Sequence, residues 1–215
     1  MVTTTHHLEI QSVFSIASYA LLVIGLVICF FNASQWRVGT RIAMVIMATG
    51  LALAPIKKLL LAQYLHGFFG DLSISTLCLL LFSVCCFLRG ESARRYHEEK
   101  KRIYTFLVVA GILLYPMSTG LTVFDPYALG YAPRYFGVVL LGFALYCAWK
   151  KYTLALSVLT CVVFAYSLDI LPSRNLWDYL IDPLVFLYAL VWLIITAIIS
   201  FFGSLSSCKI SRKQS

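Results

Sequence analysis

The sequence predicts an all-α transmembrane protein, a polytopic helical bundle of about seven spans with its N-terminus outside and its C-terminus in the cytoplasm. Three observations carry this expectation. Of 215 residues, 61% are hydrophobic and 12% are charged, where a soluble domain carries about 25% charged residues. Mean hydropathy is +0.88. Apolar runs of helical-span length recur along the whole chain, with most charges confined to short segments between them.

The first span is expected at 13–31. No Lys or Arg precedes it, and no small-residue cleavage site follows, so it reads as a retained span and not a removable signal. The second, at 42–58, is interrupted by Pro55 and ends on Lys57 and Lys58, and 59–69 reads as an interfacial or tilted continuation. The third lies at 72–88. The charged stretch 89–102 that follows cannot be embedded in hydrocarbon, which makes it the topological anchor. Spans four to seven are expected at 103–124, 135–149, 152–171 and 184–202, with a cytoplasmic tail at 203–215. The chain reads as one transmembrane domain, without internal repeats.

Orientation follows from the basic residues. With 89–102 inside, thirteen of the seventeen Lys and Arg fall on the cytoplasmic side, leaving Lys57, Lys58, Arg134 and Arg174 outside. The positive charge of the chain is thereby explained by topology and anionic lipid, not by nucleic acid. The Asn32 sequon falls inside and should be silent. The cysteines lie within spans or at their cytoplasmic ends, which argues against an oxidising thiol pair at the outer face. The expected location is a bacterial cytoplasmic (inner) membrane.

The same sorting puts all five aspartates at the outer face. Asp125 and Asp182 each precede a proline and Asp71 precedes span three, so helix capping is expected of these three. Asp169 is different. It follows a long non-ionised run in span six and is expected below the interface, clamped by Arg134 or Arg174. The candidate ligand-binding set is therefore Asp169, Arg134, Arg174, Lys57 and His66. Pro116 is expected to kink span four, with Ser118 and Thr119 satisfying the freed carbonyl. The segment 125–134 is expected to be an ordered outer loop, and 89–102 a solvated helical connector.

Several chemistries are excluded by their required residues. Span seven has no lysine for a retinal Schiff base, the spans lack paired histidines for haem, and zinc-protease and serine-nucleophile motifs are missing. No cofactor and no metal are expected, and no catalytic residue is assigned. Two functions remain: a small accessory or structural subunit of a membrane or envelope system, docked on a larger membrane protein, or a transporter or envelope-lipid-modifying protein that binds an anionic small molecule or headgroup at its outer face. The expected partners are the lipid bilayer and that larger protein.

Overall fold

The computed structural model of the chain describes residues 2–31, 36–91, 96–117, 125–131 and 133–211, with side chains described over 11–31 and 134–201 at its two ends. It is all-α apart from one hairpin. The order is α1 (Val2–Phe30), α2 (Val38–Ala52), β1 (Pro55–Ile56), β2 (Leu59–Leu60), α3 (Leu61–Phe69), α4 (Ile74–Arg89), α5 (His97–Pro116), a 3-10 helix (Pro126–Tyr131), α6 (Pro133–Trp149), α7 (Thr153–Ser167), α8 (Leu176–Leu180) and α9 (Pro183–Ser211).

Two of these helices are long and apolar enough to cross a membrane, over Gln11–Phe30 and Pro183–Phe201. Val38–Ala52, Ile74–Arg89, Arg134–Trp149 and Thr153–Ser167 are apolar but shorter, at roughly 22–24 Å for a rise of 1.5 Å per residue. The boundaries differ from expectation in ways the residues explain. Pro55 cannot continue α2, and the chain turns back through an antiparallel hairpin, Ile56 opposite Leu59. Lys57 takes a left-handed φ of 58° at its tip, as tight two-residue hairpin loops require. Helix α5 starts at His97, so part of the charged connector is its first turns. Arg94 and Arg95 of that connector, with Asn32, Ser118 and Thr119, lie outside the described residues. Helix α9 runs to Ser211 and takes in most of the expected tail.

Helix α4 sits centrally, packing on α1, α2, α7 and α8, while α5 packs on α9 and α7. Ile24, Ala48 and Val84 join α1, α2 and α4, and Tyr19, Ala62 and Leu72 join α1 and α3 to the start of α4. The largest core runs from Ile74 through α5, α6, α7 and α8 to Ala189. The α5–α9 seam is an antiparallel ladder of rings: His97 on Trp192, Tyr104 on Tyr188 and Trp192, and Tyr115 on Phe186.

Left-handed residues end three helices in the Schellman pattern, at Gly90, Lys151 and Asp169. At Gly90, for example, Glu91 N–H donates to Cys86 and Gly90 N–H to Phe87. Buried Arg41 lies over Gly90 and donates to the Leu88 carbonyl at 3.4 Å, a cation at the negative end of α4.

Gly111 brings α5 onto the Phe186 ring so closely that a Cβ would overlap it. Gly111→Ala should therefore lower stability by about 1–3 kcal/mol despite its better helix propensity, and Phe186→Leu should restore part of the loss. Thermal unfolding in detergent checks this, and an unchanged midpoint for Gly111→Ala would refute the close approach.

Candidate functional site

The polar residues of the sequence gather at the two ends of the bundle. At one end, Glu99 accepts the Leu154 N–H at 2.8 Å and so caps α7 from α5. Arg102 lies over the Tyr152 ring at 4.7 Å, and Lys100 over Phe82 at 5.5 Å. Burial draws the Lys100 ammonium below its usual range, opposed by the thiols of Cys86 and Cys29.

The other end holds the aspartates. Asp182 is 5% exposed. Its Oδ1 accepts Val185 N–H at 2.8 Å, which caps α9 as the Asp-Pro pair predicts. Its Oδ2 accepts Ser73 N–H at 2.9 Å and the Thr76 hydroxyl, both at the start of α4. One buried carboxylate thus faces the N-termini of two helices. Ser73, fully buried, is the residue that caps α4, accepting Thr76 N–H at 3.2 Å. The expectation that Asp71 caps this helix is corrected: Ser73 lies two residues nearer and takes the role.

Asn175, also fully buried, ties the 125–131 segment to the segment leading into α8. It donates Nδ2–H to the Tyr127 carbonyl at 3.0 Å and caps α8 by accepting Trp177 N–H. Trp177 donates its indole N–H to the Pro126 carbonyl at 2.9 Å. The Tyr127 hydroxyl donates to both Asp178 oxygens at 3.0 Å, and Asp125 caps the 3-10 helix through Tyr127 N–H. The expected ordered outer loop is this clamp. Gly130 is required because a Cβ would overlap the Asn175 oxygen.

Among the described residues no hydrogen bond or ion pair joins any two of the five candidates of the sequence. Asp169, Arg134, Arg174 and Lys57 are all exposed, and among the described residues no ion pair joins Asp169 to either arginine. The expected clamp of Asp169 by an arginine is corrected. Helix α7 ends at Ser167, and Asp169 is the left-handed residue of its Schellman cap, φ 50°, with Asp169 N–H donating to Tyr166 and Ile170 N–H to Ala165. Asp is among the few residues that tolerate this conformation, and Pro172 follows as such caps favour.

His66 stands at a concave site. A cleft of about 230 Å³ is lined by Gln11, Ser12, Phe14, Ser15, His66, Asp71, Ile170 and Pro172. His66 donates Nε2–H to Asp71 Oδ1 at 2.9 Å, and the Ser15 hydroxyl reaches the same oxygen at 3.4 Å. Because a carboxylate only accepts, His66 is the donor of this pair. Ser15 and His66 both bond the carboxylate and not each other, so the order is not that of a nucleophile activated by a histidine. Gly70, which carries the chain past the end of α3 at φ 77°, turns Asp71 back toward His66, and its carbonyl accepts the Tyr19 hydroxyl at 2.7 Å. Asp71 is the functional candidate that sequence reasoning missed. The glycine between it and a histidine five residues earlier was the available signal.

Three outcomes check this arrangement. Asp182→Asn places an amide N–H₂ against donors and should cost about 2–4 kcal/mol in detergent unfolding, whereas Ser73→Ala should cost about 1 kcal/mol. Asp169→Gly should leave stability unchanged or raise it by up to about 1 kcal/mol by relieving the left-handed backbone; a large loss would reinstate the clamp. Burial, the Asp178 bond and Tyr131 raise the Tyr127 phenol above its ordinary range. Since folding favours the protonated phenol, its contribution is complete below pH ~10 and is lost as pH rises through the raised value. Ultraviolet titration of wild type against Tyr127→Phe should show this late ionisation.

Compared with protein-family models, with curated proteins and with solved structures, the chain matches none.

Proposed function

We propose that the chain is a seven-span integral membrane protein of a cytoplasmic (inner) membrane, N-terminus outside, serving as a small accessory subunit of a larger membrane or envelope assembly. The observation that carries this reading is the distribution of side chains. Among the described residues, exposed large apolar side chains outnumber the buried apolar ones, and they form continuous faces: Ile42, Ile46 and Met47 on α2, Val138, Leu141 and Leu145 on α6, and Val191, Ile195 and Ile198 on α9. The buried set includes Ser15, Ser18, Arg41, Ser73, Thr76, Asn175 and Asp182. Water would penalise such a surface heavily, since soluble monomers rarely expose apolar patches beyond a few hundred Å². Lipid does not.

The shorter helices fit this reading when neighbours and the α3 segment shield their ends, or when the bilayer thins around them. The accessory role is supported by where the polar groups are spent. Asp182, Asn175, Trp177 and Glu99 fasten helix ends to one another, which builds a rigid bundle. The alternative, transport or modification of an anionic molecule, rests on Arg134, Arg174 and Lys57, which stand exposed and make no ion pair among the described residues.

Single cysteines in a cysteine-free background test the topology. Lys58→Cys and Arg174→Cys should react with a membrane-impermeant maleimide in intact cells, and Lys101→Cys and Lys150→Cys only after permeabilisation. Any reversal of that pattern sinks the seven-span arrangement. Native mass spectrometry of the gently extracted chain should show a stoichiometric protein partner. A monomer carrying none under every mild extraction would overturn the accessory role.

A further inference from the structure

The cleft between α1, the end of α3 and the Ile170–Pro172 turn is a concave polar surface at the aspartate end, and neither helix capping nor the loop clamp uses it. Asp71 Oδ1 is engaged by His66 and Ser15, while Oδ2 accepts no hydrogen bond among the described residues. The Ser15 hydroxyl is already turned to Asp71 and the Gln11 carbonyl. Toward Asp71 the cleft still offers the second carboxylate oxygen, and the Gln11 side-chain amide lines it with an oxygen that can accept as well as an N–H₂ that can donate.

A ligand group that faces the open Asp71 oxygen gains by bringing donors and positive charge. We propose that this cleft binds a primary ammonium group, carried by an ethanolamine-type lipid headgroup or by a small soluble amine. An ammonium has three donors for these acceptors and pairs with the carboxylate by a charge-assisted bond. A quaternary ammonium has no donor, and Phe14 as the one aromatic wall makes no cage for it. An anion would meet the carboxylate. The volume, about 230 Å³, is below the ~300–1,000 Å³ of drug-sized pockets and suits a group of a few heavy atoms.

The flanks favour the lipid source. Val13 on α1, Phe68 and Phe69 at the end of α3, and Leu168 after α7 are exposed apolar residues beside the lining residues. On the seven-span reading, on which only this level depends, they stand where acyl chains meet headgroups.

The experiment is native mass spectrometry of the full chain exchanged into an equimolar mixture of phosphatidylethanolamine and phosphatidylcholine. Phosphatidylethanolamine should be retained about tenfold over phosphatidylcholine, a difference of about 1.4 kcal/mol. Asp71→Asn, which keeps an acceptor for His66, should abolish the preference. Gln11→Leu should reduce it without touching the His66–Asp71 pair, and carries the test if the first variant does not fold. Retention unchanged by millimolar ethanolamine assigns the lipid. Displacement by ethanolamine, or an ethanolamine-dependent rise in melting temperature without lipid preference, assigns a soluble amine. Equal retention of both lipids with no effect of ethanolamine overturns the proposal, as does a preference that persists in folded Asp71→Asn and Gln11→Leu. Failure of the seven-span reading would instead appear in the cysteine map, and leaves the ethanolamine measurement in detergent standing.

Discussion

A carboxylate buried among apolar helices is stable only if its lone pairs are met by donors, and Asp182 shows how one such group can order a bundle. Its two oxygens take the Val185 amide of α9 and the Ser73 amide and Thr76 hydroxyl of α4. Two helix starts that carry unsatisfied N–H groups and positive dipole ends are thereby joined at one charge. The geometry has consequences along both helices. With the ends of α4 and α9 fixed together, α4 is placed to contact α1, α2 and α7, and α9 is aligned for its ring ladder with α5. In a low-dielectric setting an unmet carboxylate or amide costs several kcal/mol, so alternative registers between these helices are penalised heavily.

The other polar contacts follow the same logic on a smaller scale. Glu99 caps α7 from α5, Asn175 caps α8 while gripping the Tyr127 carbonyl, and Arg41 faces the C-terminal end of α4. Each links a helix terminus to a neighbouring element, where backbone groups lack intrahelical partners. Between the ends, the helices meet through apolar and aromatic side chains. An exterior rich in Ile, Leu and Val cannot hold helices together by expelling water if its surroundings are lipid. The specificity of association then falls to terminal polar contacts and to close approaches such as Gly111 on Phe186.

Much of this was legible in the sequence, and the limits of legibility are physical. Helix positions followed from apolar run length, and the Asp-Pro pairs at 125 and 182 announced caps that the structure makes. The second partner of Asp182 was not readable, because Ser73 is 109 residues away. Asp71 and Asp169 were misassigned for opposite reasons. Asp71 precedes a helix, but Ser73 takes the cap and Gly70 turns Asp71 back to His66. Asp169 follows an apolar run that looks like uninterrupted helix, yet the backbone turns left-handed there, a role that glycine usually signals and Asp does not. The short helices also escaped: hydropathy marks α2 as a span without showing that Pro55 sends the chain into a hairpin.

The two carboxylates at this end of the bundle, Asp182 and Asp71, differ in how much of their hydrogen-bonding capacity is used. Asp182 and Asp71 lie at the same end of the bundle and near the same start of α4. Asp182 has both oxygens occupied by donors that are themselves fixed in helix termini, so a ligand gains nothing by approaching it and would have to displace structure to do so. Asp71 sits after a left-handed glycine, is 36% exposed and has one oxygen engaged, by a histidine and a serine that line the same cleft. Its remaining accepting capacity is met in the free protein by water, which a ligand can replace at modest cost. A rigid joint that uses all its hydrogen-bonding capacity, beside a cleft that does not, is the division of labour expected when one part of a bundle holds shape and another receives a ligand.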